Sequence, residues 1–162
     1  MALRTARHLT SMFLVRDGRV LLLYRRGSRA IADSWVGIGG HFEPHELADP
    51  TAAALRELHE EVGVTVEQLA DVALRYVAVR DTGTEIRTTY YFTAELAADA
   101  QVPAQCVEGD LAWFDLTADP IELDMPPTAR IAFTHWLTTG RHDRELRLIA
   151  VGADGRHAGT LR

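Results

Sequence analysis

Residues Arg56–Val64 read Arg-Glu-Leu-His-Glu-Glu-Val-Gly-Val. The flanking residues give this run its conformation. Asp49 is a good N-cap and Pro50 fits the first helical position. Thr51, Ala54, Leu55, Leu58 and Val62 recur at helical spacing, and Gly63 is placed to end the helix. Residues three and four apart on a helix are neighbours, so Glu57, Glu60 and Glu61 share one stripe. At 100° per residue that stripe is centred roughly 120° from the apolar one. The helix is therefore expected to pack one side on a sheet and to present three carboxylates together on another.

An acidic pair such as Glu60-Glu61 is by itself the ordinary sign of a solvated face. Three carboxylates on one stripe repel one another and call for a cation. Magnesium is a hard cation that takes oxygen ligands and keeps positions for water and substrate phosphate. Arg56 is suited to clamp a neighbouring carboxylate and fix its orientation. His41, His45 and His59 crowd the same region, but an all-carboxylate site suits magnesium or manganese better than zinc. A string of the form R-E-apolar-x-E-E-x-G-apolar arises by chance in roughly one in 10⁵ chains of this length.

Working outward, Leu9–Arg16 and Arg19–Arg25 are β-prone apolar runs around an Asp17-Gly18 turn, which predicts a hairpin. Trp35–Ile38 reads as a short strand running into Gly39-Gly40, where the backbone is free to approach another group closely. Asp71–Val79 and Ile86–Glu95 read as strands around an Asp81–Gly83 turn. Ile86, Thr88, Tyr90 and Phe92 share one face of the second. An Ala-rich connection, Ala97–Gln105, leads to a short strand at Leu111–Leu116. Pro126-Pro127 opens a second helix whose apolar face is Ala129, Ala132, Phe133, Trp136 and Leu137, with Gly140 as its stop. Leu146–Val151 reads as a last strand, followed by a turn and a short tail. The order predicts an α/β layered domain with a mixed sheet.

The 162 residues suit one domain spanning 1–162. The formal net charge of −6 argues against broad binding to a nucleic-acid backbone, yet admits a small anionic substrate where a metal supplies local positive charge. One cysteine, Cys106, rules out an internal disulfide and favours a reducing compartment. No membrane-length apolar run and no targeting segment is found, so a cytoplasmic protein is expected, a monomer or a homodimer without a membrane partner.

The run resembles the signature of the Nudix hydrolases: a glycine, five residues, a glutamate, seven residues, then R-E-apolar-x-E-E-x-G-apolar. Gly40 and Glu46 match the first part and Arg56–Val64 the last, giving a box at 40–64. The middle departs, because nine residues separate Glu46 from Arg56. The extra two fall around Leu47–Asp49, ahead of the N-cap, where a longer loop leaves the helix register intact. Arg19–Arg26 and the stretch Trp35–Gly40 are also similar to the approach to the box in MutT-type members of the family.

The resemblance implies a Nudix-type α/β/α sandwich with a mixed central sheet and a C-terminal helix at about 126–139. It implies a pyrophosphohydrolase that uses Mg²⁺ or Mn²⁺ on a nucleotide. Glu57, Glu60, Glu61 and the main-chain carbonyl of Gly39 would be metal ligands, with Glu108 as a further ligand or base. Glu57, or Glu60 through a water, would be the general base. Arg56 would orient Glu57, and Glu46 and Gly40 would support the loop. Arg25 or Arg26 would stabilise the leaving group and His41 would point toward substrate, while Trp35 suits stacking on a base or packing in the core equally well. The favoured substrate is a nucleoside triphosphate, with an oxidised purine such as 8-oxo-dGTP as the leading guess. The alternatives are ADP-ribose or dinucleotide hydrolysis, and a Nudix-fold sensor that binds without turnover.

Overall fold

The computed structural model describes residues 4–29, 32–117 and 122–159. Asp17 and Gly18 both take positive φ, 51° and 68°, the geometry of a two-residue hairpin loop. They join β1 (Thr5–Arg16) to β2 (Arg19–Arg25) in an antiparallel pair, and β3 (Ser34–Val36) folds back on β2. A long antiparallel hairpin follows, β4 (Leu69–Asp81) and β5 (Glu85–Leu96). The remaining strands are β6 (Gln105–Cys106), β7 (Gly109–Asp115), β8 (Arg147–Val151) and β9 (His157–Gly159). Among the described residues these form one sheet in the order β6-β7-β2-β1-β5-β4-β8-β9, with β3 beside β2. The β1/β5 and β4/β8 pairs are parallel and the others antiparallel, so the sheet is mixed as expected.

Alternation along the strands sends side chains to two cores. Met12, Leu14, Leu21, Leu23, Phe92 and Ala94 face helix α1 (Pro50–Val62) and meet Ala54, Leu58 and Val62. Phe13, Val20, Leu22, Tyr76, Tyr91 and Ile149 face helix α2 (Pro127–Thr138) and meet Ala129, Ala132, Phe133 and Trp136. The result is an α/β/α sandwich. Among the described residues no helix is long and apolar enough to cross a membrane.

The ends of α1 follow the sequence closely. Asp49 accepts a hydrogen bond from the Ala52 amide (3.0 Å), and Gly63 takes the left-handed conformation, φ 72°, with its amide donating to the His59 carbonyl. The buried face is turned slightly from the expected one: Ala53 is buried and Leu55 only partly so. Three other expectations change. Gly140 does not stop α2, which ends at Thr138; it opens a 3-10 turn at Gly140–His142. Glycine is needed there because a Cβ would lie 2.1 Å from the Tyr76 hydroxyl. The C-terminal tail forms β9, which pairs with β8, while residues 160–162 lie outside the described part. The end of the Ala-rich connection becomes β6, which pairs with β7.

Only Leu14–Arg16 of β1 pairs with β2. Farther toward its start, β1 is bridged by the chain that follows β3. The Thr10 amide donates to the Gly40 carbonyl (2.8 Å), and Met12 and Ile38 exchange two hydrogen bonds (2.7 and 3.0 Å). This strip carries Gly39-Gly40 past the face of α1 that bears the glutamates. Leu58, fully buried, anchors that helix to the sheet. Leu58→Ala is expected to cost about 2–5 kcal/mol of unfolding free energy in urea denaturation, and a loss under about 1 kcal/mol would contradict this packing.

Candidate active site

Arg56 gathers the box. Its Nε donates to Glu46 Oε1 (2.7 Å) and its Nη2 to Glu46 Oε2 (2.9 Å), the two-point match between guanidinium and carboxylate. Nη2 also donates to the His41 carbonyl (3.0 Å), while Nη1 lies 3.0 Å from both Glu57 Oε1 and Glu60 Oε2. Glu46 is 5% exposed and accepts a further bond from the Glu43 amide (2.8 Å). These donors hold its carboxyl down to about 2, with the Arg56 hydrogen bond the largest cause. The same pairing raises the Arg56 guanidinium above its ordinary value.

The two extra box residues are now accounted for. Leu47 and Ala48 form a turn closed by the Asp49 amide on the Glu46 carbonyl (2.8 Å), and Leu47 is exposed to solvent. The insertion projects outward, so Glu46 still reaches Arg56.

The glycine pair explains why α1 can come so close. A Cβ on Gly40 would lie 2.5 Å from Glu57 Oε2, and one on Gly39 would lie 2.3 Å from the Thr10 carbonyl oxygen. The Gly39 amide donates to Glu61 Oε2 (3.2 Å). Glu108 arrives on the turn before β7, with its carboxylate 2.8 and 2.7 Å from Arg25 Nη2 and its carbonyl accepting from the Arg26 amide (3.0 Å).

Charge is crowded here. Burial raises the Glu61 carboxyl to about 8, and the neighbouring Glu108 and Glu57 carboxylates add to it against the opposing effect of Arg25. Glu57 is raised chiefly by burial, with Arg56 pulling the other way. Glu108 Oε2 is buried, with Arg25 Nη2 beside it at 2.7 Å. Among the described residues no three His, Cys, Asp or Glu side chains converge tightly enough to grip an ion as they stand. Arg56 holds Glu57 and Glu60, and Arg25 holds Glu108. The donor chemistry nonetheless fits a hard divalent cation: buried carboxylates that raise one another's pKa at one place.

The other expected residues divide. Glu60 is the outermost of the three helix glutamates, with its side chain 58% exposed. Arg25 is part of the group, whereas Arg26 turns to Asp110 and lies over the Tyr24 ring. Trp35 is edge-on to Phe114 (4.8 Å) and beside Tyr24 (5.1 Å), packed against the α2-side core. The pairing of β3 with β2 sets this partly buried ring on that side of the sheet. His41 is exposed, and its imidazole is pushed below its usual value by partial burial and by Arg7 and Arg25.

Next to Gly39 and Arg25 lies a cleft of about 90 Å³, whose other lining residues are not among those expected from the sequence. It also contains Ser11, Arg80 and Arg87, and it opens against the start of α2. The signal was present in the strands. Arg80 and Arg87 flank the Asp81–Gly83 turn and are register partners across the β4–β5 hairpin.

The crowding makes a prediction for the metal-free protein. The Glu61 carboxyl has a higher pKa folded than unfolded, so the fold binds the extra proton and loses stability as pH rises from about 4.5 to about 8. In chelator, Glu61→Gln should raise the melting temperature above pH 8, and the gain should vanish below pH 4.5. A gain independent of pH would refute the repulsion.

The family model of the NUDIX domain matches residues 6–136. The Mutator MutT protein from Bacillus halodurans superposes with a TM-score of 0.66 at 24% identity, covering 94% of this chain and 95% of that one. The MutT NUDIX hydrolase from Burkholderia pseudomallei gives 0.59 at 26%, covering 80% and 96%. An Ap4A hydrolase from C. elegans gives 0.55 at 23%, covering 69% and 80%. No curated protein matches the sequence. The box, the sandwich and the family model agree: the chain belongs to the NUDIX family and is a MutT-like hydrolase.

Proposed function

We propose that the protein is a metal-dependent pyrophosphohydrolase that cleaves a diphosphate bond in a nucleoside diphosphate-linked substrate, with a nucleoside triphosphate giving monophosphate and pyrophosphate as the leading case. The observation that carries this reading is the Glu57–Glu61–Glu108 group, brought together at Gly39-Gly40 and flanked by Arg56 and Arg25. Glu57, Glu61 and Glu108, with the Gly39 carbonyl, would hold Mg²⁺ or Mn²⁺, and Glu60 would serve at the exposed rim. A divalent cation bound there supplies charge neutralisation of the diphosphate and polarisation of water.

The chain's own residues do the rest. Glu57 is favoured over Glu60 as the base, because it is half-buried against Gly40 while Glu60 is largely exposed. Glu57 takes a proton from the attacking water as its oxygen bonds to phosphorus. The bridging P–O bond breaks, and the leaving phosphate departs toward Arg25. Arg56 keeps Glu57 in its rotamer, and Glu46 keeps Arg56 in place.

A panel of canonical and oxidised nucleoside triphosphates, ADP-ribose and dinucleoside polyphosphates, assayed with Mg²⁺ or Mn²⁺ and resolved by chromatography, tests the reading. The expected products are a monophosphate and pyrophosphate. Glu57→Gln should lower turnover about 10²–10⁴-fold without unfolding the protein. Full metal-dependent activity in that variant would remove Glu57 from the role of base, and binding without any product would favour a sensor.

A further inference from the structure

The small cleft beside the carboxylate group is built from donors. It lies between the α2-side face of the sheet and the start of α2, and it shares Arg25 and Gly39 with the site above. Ser11 is 6% exposed, and its Oγ is buried without a hydrogen-bond partner. Arg80 Nε is likewise buried and unpartnered. Arg87, paired with Glu85, adds a second guanidinium to the wall.

The start of α2 supplies a third kind of donor. Pro126 occupies the N-cap position and makes no side-chain cap, so the first amides past the prolines, those of Thr128 and Ala129, find no capping side chain. Both residues line the cleft. A helix N-terminus with open amides attracts negative charge. Here it does so beside two buried, unsatisfied donors. A buried polar atom without a partner costs free energy that a ligand acceptor would recover.

The size of the cleft limits what enters. About 90 Å³ is the share of roughly three waters at about 30 Å³ each. Clefts that take a whole drug-sized ligand run to about 300–1,000 Å³. A tetrahedral oxyanion suits this room and this donor set; a purine ring does not.

We propose that this cleft is a phosphate subsite, which takes a phosphate group of the substrate other than the diphosphate being cut. The proposal rests on the hydrolase reading for the word substrate. Its chemistry is met by the terminal phosphate of a nucleoside triphosphate or by a phosphate monoester on the sugar of a nucleoside diphosphate compound.

Two measurements test it. In the first, ¹⁵N-labelled protein in chelator is titrated with inorganic phosphate and followed by NMR. The Thr128 and Ala129 amides should shift saturably, and Arg80→Met and Ser11→Ala should each weaken the apparent affinity, Arg80→Met by about tenfold or more. No shift at those amides, or equal affinity in both variants, overturns the subsite. This arm needs no turnover, so it decides the cleft even if the hydrolase reading fails.

In the second, kcat/KM is compared within substrate pairs: a nucleoside triphosphate against its diphosphate, and ADP-ribose against the same compound with a 2′-phosphate. The preference for the member with the extra phosphate should fall about tenfold or more in Arg80→Met. The pair in which it falls identifies the source of the phosphate. An unchanged ratio in both pairs overturns the proposal.

Discussion

The Arg56 guanidinium is the contact on which the site depends. It touches both the loop after β3 and the acidic face of α1. Its fork is fully used: two bonds to a nearly buried carboxylate, one to a backbone carbonyl, and a nitrogen shared by two further glutamates. An arrangement of this kind is stable only while both partners are present, because removing either leaves a buried charge without compensation. Lysine, a point charge without the fork, has no equivalent geometry.

That contact works because the backbone is bare where the helix meets it. Gly39 and Gly40 sit against β1 on one side and against Glu57 and Glu61 on the other; a Cβ on Gly39 would clash with the Thr10 backbone, and one on Gly40 would displace the Glu57 carboxylate. The sheet supplies the rigid backing, since β1 is held in a parallel pair with β5 along most of its length. The acidic cluster is therefore carried by regular elements. Only Glu108 comes from a turn, and Arg25 on β2 fixes it. The energetic consequence is a site with stored repulsion, offset locally by two arginines and ready to be relieved by a divalent cation.

Much of this was legible in the residues. Asp49, Pro50 and Gly63 mark the ends of α1 because capping and left-handed backbone are local effects. Asp17-Gly18 marks the first hairpin for the same reason. The glutamate spacing marks the acidic face. What escaped was set by contacts remote in sequence. The two-residue expansion of the box reads only as a longer loop; its form, a turn at Leu47-Ala48 with Glu46 still on Arg56, is set by those contacts. Trp35 suits a base or a core by its chemistry alone, and the β2–β3 pairing is what sets its partly buried ring beside Phe114 and Tyr24. Gly140 looks like a helix stop and is instead a close approach to Tyr76. Arg80 and Arg87 gain meaning only when the β4–β5 register sets them side by side.

The central claim is that Glu57 and Glu61 belong to one cation site at the glycine strip. Binding of Mn²⁺ followed by electron paramagnetic resonance tests it without a substrate. The account predicts a saturable bound fraction in the native chain, with affinity falling at least about tenfold in both Glu57→Gln and Glu61→Gln. Mn²⁺ bound equally well by both variants would contradict it.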